Sequence, residues 1–364
     1  MKGRASSPFV RSLGDIMSIA AAASAASTAS VASLAHPVVS ADVDAGRRLV
    51  AAVRASVGRA VVGQDVVVER MLIALFTGGH LLLQGMPGLA KTLMVNSLAK
   101  AVALQFARVQ FTIDLLPADI VGSEILDQAS GTFRVRQGPV FTNLLLADEI
   151  NRAAPKVQSA LLEAMQERKV TIGSTSFKLP APFLVIATQN PVEHAGTFEL
   201  PEAQLDRFML CHRLGYPTAE QESEVLKRHL GFGLSDHGGG AVPKNAFDVL
   251  EGGTSSGVED LSAAMRAVLG VHVSEVFLAH TVELVRRTRS CPDFEFGASP
   301  RAGIALTQAA RARAFIHGRD HTIPDDLFAL AEDVMLHRLR MTYEAVADGR
   351  QAAQILQQLL VRVG

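Results

Sequence analysis

The chain has 364 residues, 48% of them apolar, with 35 basic and 36 acidic side chains. That length suits two domains with sizeable cores, and the near-balanced charge supplies no global field toward nucleic acid or an anionic membrane, although a local basic patch stays compatible with it. Two cysteines in unrelated contexts, Cys211 and Cys291, give neither a disulfide framework nor metal-ligand spacing, which fits a reducing cytosol; no run of about eighteen strongly apolar residues marks a transmembrane helix.

Residues 1–43 read as a low-complexity tail. "SIAAAASAASTASVASLA" (18–35) is nearly pure Ala, Ser and Thr. Such acid-poor stretches can mimic a signal or transit peptide, but this one lacks Leu and Phe bulk, which favours an unstructured tail. Ordered structure is expected from Asp44. "AGRRLVAAVRASVGRAVVGQ" sets Leu49, Val53 and Val57 on one helical stripe, and "DVVVERMLIALFTGGH" is a second helix ended by Gly78 and Gly79. "HLLLQ" (80–84) is a short strand of the fully buried kind, followed after a Gly-Pro-Gly turn by the helix "AKTLMVNSLAKAVAL". "ARVQF" (107–111) is the next strand, "DLLPADIVGSEI" a short helix leading outward, and "GTFRVRQGPV" a hairpin around Gly131. "NLLLADE" (143–149), "FLVIATQN" (183–190) and "FMLCHRL" are further strands. Between the first two lie an amphipathic helix opened by Pro155 and a hairpin around Gly173.

Alternating strands and helices predict an α/β domain with a parallel, doubly wound sheet over residues 44–216. The composition shifts after Tyr216-Pro217. "TAEQESEVLKRHL" is a helix, "GFGLSDHGGGAVPKN" a Gly-rich linker, and helical patterns dominate from Ser274. Residues 217–364 are therefore expected to form a helical second domain.

The chemistry concentrates in four places. "GMPGLAKT" (85–92) sits between strand and helix, where backbone N–H groups and a helix N-terminus hold phosphate oxygens. Gly85 and Gly88 supply tight turns, Lys91 reaches toward β- and γ-phosphates, and Thr92 is placed to ligate Mg²⁺. Ala90 stands where a glycine is usual; a negative, helix-compatible φ is expected there, since alanine favours helix. Asp148 and Glu149 end a buried strand at the edge where such sheets bind ligands. Asp148 would hold Mg²⁺ and Glu149 would orient or deprotonate water; an acidic pair capping a helix is the plain alternative. Asn190 also ends a buried strand and could position that water, or simply start a turn before Pro191. Arg207 and Arg301 could stabilise charge on a transferring phosphoryl group, although lone arginines are more often surface charges. The eleven histidines show no ligand spacing, and the basic "RRTRS" (286–290) reads as a solvated helix end.

Taken together, "VVGQDVVVERMLIAL", "GHLLLQGMPGLAKTL", "QFTIDLLPADIVGSEI", "GPVFTNLLLADEINRAAPKVQSALLEAMQE", "VIATQNPVEHAGTFELPEAQLDRFML" and "GASPRAGIAL" closely resemble the MoxR family of AAA+ ATPases over residues 45 to 342. The resemblance implies an AAA+ P-loop parallel sheet sandwiched by helices, followed by an all-helical lid. It places Val62, Gly63 and Gln64 by the adenine. It makes the stretch Gly85, Met86, Pro87, Gly88, Leu89, Ala90, Lys91, Thr92 with Leu93 the ATP-binding Walker A segment, and Asp148-Glu149 Walker B. Asn190 would be sensor 1, Arg207 an arginine finger acting on the neighbouring subunit's nucleotide, and Arg301 the sensor 2 that reaches from the lid to the γ-phosphate. The two hairpins would be the helix-2 insert and the pre-sensor-1 hairpin, facing the axis of a hexameric ring. Implied too are ATP and Mg²⁺ as cofactors, a cytoplasmic location, and chaperone-like remodelling of a protein client, often with a partner bearing a von Willebrand factor A domain. No nucleic acid and no membrane span are expected. A chelatase-type metal-insertion motor and a nucleic-acid motor or loader are the competing readings.

Overall fold

A computed structural model describes residues 39–128, 131–191, 196–237, 240–248 and 256–362. The tail expected over 1–43 lies outside the described residues up to position 38. Helix α1 (Ser40–Ala60) begins four residues ahead of the expected start at Asp44. Helix α2 (Asp65–Thr77) ends, as the sequence suggested, on Gly78, which takes a left-handed φ of 64°. Strand β1 (Leu81–Gln84) then runs into the phosphate-loop candidate, which opens helix α3 (Lys91–Ala101). After β2 (Phe106–Gln110) comes the five-residue helix α4 (Pro117–Val121).

There the first difference appears. The segment read as helix through Ile125 turns at Gly122 into β3 (Gly122–Asp127), paired antiparallel with β4 (Thr132–Gln137). Gly122 has φ +101°, and a Cβ there would sit 2.3 Å from the Arg136 carbonyl oxygen. That close approach stops the helix and starts the hairpin.

Strand β5 (Leu144–Asp148) leads through a short 3₁₀ turn at 150–152 to α5 (Pro155–Glu167), the hairpin β6 (Lys169–Ile172) and β7 (Thr175–Lys178), and then β8 (Leu184–Gln189). A one-turn helix α6 (Glu202–Leu205) precedes β9 (Leu210–Arg213). Strands β1, β2, β5, β8 and β9 form one parallel sheet in the order β2-β5-β8-β1-β9. Each strand alternates between the two sides: Leu81, Leu83, Leu144, Leu146, Leu184 and Ile186 enter one apolar cluster, and Leu82, Leu145, Ala147, Val185 and Ala187 enter the other. Helices cover both faces, so the strands read as unbroken apolar runs. Fully burying one such Leu or Ile is worth about 1.5–3 kcal/mol.

Helix α7 (Ala219–Leu230) carries a capping box at Thr218 and Gln221 and buries none of its residues. The stretch expected to be a linker contains a short antiparallel ribbon, β10 (Leu234–His237) with β11 (Gly240–Pro243). Helix α8 (Val258–Leu269) begins before Ser274, where helical structure was expected to start. Then follow α9 (Glu275–Ser290), β12 (Phe294–Phe296), α10 (Pro300–Ile316), α11 (Pro324–Met335), β13 (Arg340–Met341), α12 (Tyr343–Ala347) and α13 (Ala352–Val361). The β12–β13 pair and the ribbon are departures from an all-helical second half.

The apolar cluster on the α1 side of the sheet runs across residue 217, from Leu49 in α1 through Phe315 in α10 to Leu360 in α13. Helices α2, α10 and α11 are further tied by buried charges. Asp326, fully buried, accepts from Arg313 and Arg319, each at 2.6 Å. Arg70 donates to Asp333 at 2.5 Å and also pairs with Glu69, while the His317 ring lies 2.7 Å from Glu69. Burial alone would raise the Glu69 carboxyl, but attraction to Arg70 and the bond from His317 outweigh it and hold the group below its ordinary value. Among the described residues, no helix is long and apolar enough to cross a membrane.

Candidate functional site

The loop 85–90 leaves the carboxyl end of β1 and meets the carboxyl ends of β5 and β8. Lys91, Thr92, Asp148, Glu149 and Asn190 line one cleft of about 510 Å³ with Pro87, Gly88, Leu89, Ala90 and Leu93. Lys91 Nζ donates to the Gly85 carbonyl at 2.8 Å, so the side chain curls over its own loop. Burial lowers the Lys91 pKa, and attraction from Asp148 and Glu149 works against that shift.

The conformation at Ala90 corrects the sequence expectation. Its φ is +54° with ψ 23°, in the left-handed region, not the helical one. The chain reverses from loop to helix at this residue, and the Ala90 carbonyl accepts the first helical bond, from Met94 N at 3.0 Å. The turn demands that reversal whatever residue occupies it. A left-handed L-residue costs about 1–2 kcal/mol, and such cost is typically retained at ligand-binding turns. Lys91 nonetheless stays in the cleft, so the loop is strained without being collapsed.

The acidic pair is held by its neighbours. Thr188, fully buried on β8, donates its hydroxyl to Asp148 Oδ1 at 2.5 Å and accepts from the Glu149 backbone N–H at 2.8 Å. Arg108 on β2 donates to Asp148 Oδ2 through Nη2 at 2.7 Å and Nε at 3.2 Å. Gln110, two residues on and therefore on the same strand face, donates to Glu149 Oε2 at 2.9 Å, and Arg152 Nε reaches the same oxygen at 2.8 Å. Glu149 itself has φ +57°, a second strained residue beside the first. Asn190 is buried at the end of β8, and its carbonyl accepts from Asn151 Nδ2 at 3.4 Å.

The Thr92 hydroxyl and the Asp148 carboxylate face the same cleft, with the Glu149 carboxylate beside them. That small, all-oxygen donor set fits a hard divalent ion that keeps most of its ligands as water and phosphate, as Mg²⁺ does.

Beside the loop lies a more apolar cleft of about 490 Å³. Val62 and Gln64 line it together with Leu89 and Leu93. Gly63, Gly85 and Met86 line neither cleft. Gly63, at φ +74°, instead lets the Gln221 side chain approach; a Cβ there would meet it at 2.3 Å. The far wall comes from Tyr216, Val225, Leu226, His229 and Phe232, which the sequence reading did not single out. A signal for them exists: α7 is a charged helix whose apolar residues, including Leu226 at 64% exposure, have no core to enter.

Arg207 and Arg301 are brought together, but not here. They share a cleft of about 220 Å³ with His80, Met165, Gln166 and Asp206. Asp206 accepts from Arg301 Nη1 at 3.0 Å and from Arg338 Nε at 2.8 Å; its partners are thus residues distant in sequence. His80 immediately precedes β1 and Arg207 lies just before β9, so this cleft is at the amino edge of the sheet. The phosphate loop is at the carboxyl edge. Four-residue strands separate the two by about 13 Å, and neither arginine lines the phosphate cleft of its own chain. His80 is structural: its Nδ1 accepts from Val185 N at 3.0 Å, Nε2 lies 3.2 Å from the Met165 carbonyl, and burial pushes its pKa down to about 4.

A strand–loop–helix with a lysine over the loop, and an acidic pair on an adjacent parallel strand, define a P-loop ATPase of the AAA+ type. Comparison with known proteins agrees. Residues 80–210 match the family model described as the ATPase family associated with various cellular activities, and residues 286–359 match an AAA lid domain. Chaperone MoxR1 of Mycobacterium tuberculosis is 46% identical over 80% of this chain and 76% of its own length. Protein MoxR of Methylorubrum extorquens is 32% identical over 84% and 90%. A crystal structure from Cytophaga hutchinsonii, assigned provisionally as an ATPase, superposes with TM-score 0.77 at 42% identity, covering 89% of this chain and 97% of that one. The chain belongs to the MoxR family of AAA+ ATPases.

Proposed function

We propose that the chain hydrolyses ATP as one member of a ring and uses the cycle to remodel a protein client. The observation that carries this is the cleft in which Lys91, Thr92, Asp148, Glu149 and Asn190 converge. Backbone N–H groups of residues 85–90 and Lys91 hold the phosphates, and the apolar cleft between Val62, Gln64 and α7 takes the adenine. Thr92 and Asp148 hold Mg²⁺, which when bound neutralises phosphate charge. Glu149 accepts the proton of the attacking water, and Asn190 fixes that water's position. The αL backbone at Glu149 and the grips of Gln110 and Arg152 hold the carboxylate still until substrate arrives.

Arg207 and Arg301 sit at the opposite edge of the sheet in one cleft, where Asp206 holds Arg301 and Arg338. This supports a reading in which both arginines act on the nucleotide of the adjacent copy, stabilising charge that develops on the transferred phosphoryl group. The ring, whether hexameric or not, then follows from the chemistry: each copy supplies half of two sites. By family likeness, the client is a protein complex under assembly or maturation in the cytoplasm, with a von Willebrand factor A domain protein as a candidate partner.

The test is Glu149→Gln. This variant should bind ATP as the unaltered chain does and lose at least about a hundredfold in turnover, the size typical of a general base. Lys91→Ala should lose nucleotide binding itself. Normal hydrolysis by the Glu149→Gln chain would remove the role given to that carboxylate.

A further inference from the structure

Helices α9 and α10 lie side by side in the second half of the chain and leave a groove of about 530 Å³ between them. Arg289 Nε donates to the Ala298 carbonyl at 2.8 Å, and Gly303 lies against Val285 and Thr281, so the helices run antiparallel. Leu278, Val282 and Val285 form one wall at spacings of four and three residues; Ile304 and Thr307 form the other. Val282 and Ile304 are 57% and 60% exposed. The groove runs from residues 278 to 289 on one helix and 300 to 311 on the other, about 16 Å or three helical turns.

Two features point to an occupant. The first is Gly303, on the floor. A methyl there would meet Val285 Cγ2 at 3.6 Å and Thr281 Cγ2 at 3.8 Å, ordinary contact distances. Packing within the chain therefore does not require glycine, and glycine weakens a helix relative to alanine. Its effect is to keep the groove deep. The second is charge. Arg286 and Arg289 line one end and Arg311 the other, and no carboxylate lines the groove. Arg287 has its own partner in Glu283, but among the described residues Arg286 is in no ion pair. Arg311 donates Nη2 to the Leu269 carbonyl, yet its buried Nε has no hydrogen-bond partner among the described residues. Burial lowers the Arg311 pKa with no opposing contribution.

We propose that this groove docks an acidic amphipathic helix of a partner protein, about three turns long, with an apolar stripe at i, i+4 and i+7 and carboxylates at both ends. The apolar stripe covers Leu278, Val282 and Ile304 above Gly303. Carboxylates pair with Arg286 and Arg289 at one end and satisfy Arg311 at the other. This is the helix-in-groove mode of recognition, with basic ends selecting against basic helices. It needs nothing from the nucleotide site, so it stands or falls separately from the ATPase reading.

The probe is a fluorescein-labelled helical peptide of about four turns, with leucines on one stripe and glutamates at both ends. A control peptide carries the same stripe with lysines in place of the glutamates. Fluorescence anisotropy on the full chain should show the acidic peptide binding at least about tenfold tighter than the control, a gap that narrows with salt. Gly303→Leu fills the floor and should cost about tenfold in affinity for the acidic peptide. Ile304→Glu, at an exposed position where folding is insensitive, should do the same, and both should leave basal ATP turnover unchanged. Equal binding of the two peptides, or affinity unaffected by Ile304→Glu, overturns the proposal. So does loss of peptide binding upon ATP-driven assembly of the chain with itself, which would make a second copy the occupant.

Discussion

Thr188 is the side chain on which both acidic groups lean, and replacing it by valine isolates that role. Valine keeps the branched shape of the buried side chain but cannot bond Asp148 or the Glu149 backbone. Losing the hydroxyl's 2.5 Å bond to a carboxylate costs about 1.5–3 kcal/mol. Leaving the Glu149 N–H, now bonded at 2.8 Å, without its acceptor costs about 1–3 kcal/mol more. The two losses overlap, because Asp148 keeps Arg108, so the expected loss is about 3 kcal/mol. Thr188→Ser retains the hydroxyl and loses one methyl, about 1 kcal/mol. Equilibrium urea unfolding, followed by two probes to check that transitions coincide, measures both variants. ATP turnover should fall in the valine variant and persist in the serine one, since the Glu149 backbone anchor is lost only in the former. A valine variant within about 0.5 kcal/mol of the unaltered chain, or no less stable than the serine variant, refutes the argument.

Ala90→Gly relieves a left-handed alanine but adds freedom to the unfolded chain, so its net effect should fall between about zero and 1 kcal/mol of stabilisation; a melting temperature lowered by several degrees would show that the strain is illusory. Mixing Arg207→Ala chains with Lys91→Ala chains should restore part of the ATP turnover that neither has alone, since sites in trans can be rebuilt from two defective partners; turnover no greater than the sum of the separate preparations counts against arginines acting on a neighbour. Stability should decline with acid. His80 is buried and His337 is half-buried with its Nε2 3.1 Å from the Phe208 carbonyl; their pKa values are lowered from 6.5 to about 4 and about 3, so the unfolded chain takes up protons first, and stability is whole above pH 6.5 and is lost as pH falls from there toward the folded values. By pH 5.5 each histidine should cost about 1 kcal/mol, and His337→Gln should flatten part of the slope in a melting series from pH 7.5 to 5.5.

The sequence made the sheet legible because buried parallel strands are short apolar runs, and "LLLQ", "LLLAD" and "LVIATQ" have no amphipathic alternative. The phosphate loop and the acidic pair were legible as motifs because their chemistry needs residues close together in the chain. What escaped detection depends on residues far apart. Arg108 and Thr188 are ordinary strand residues until the register brings them to Asp148. Arg301 is a plain helix-start arginine until the ion pair with Asp206, just before β9, places it at the amino edge, and no local pattern encodes that pairing. Backbone conformation escaped as well: propensity argued for a helical Ala90, and the geometry of the turn overrode it.

The separation of the phosphate loop from the arginine cleft, by the length of the sheet, has a genetic consequence. On the proposed reading, a chain defective at Arg207 or Arg301 still accepts nucleotide and still assembles, but disables the copy beside it. Where a ring works only with every site firing, such an allele would be dominant in a cell that also makes the intact chain, with severity rising faster than its share of the mixture. A lesion that prevents folding would be recessive. The allele's behaviour in mixed populations would therefore separate damage at the arginine edge from damage to stability, with no purified protein required.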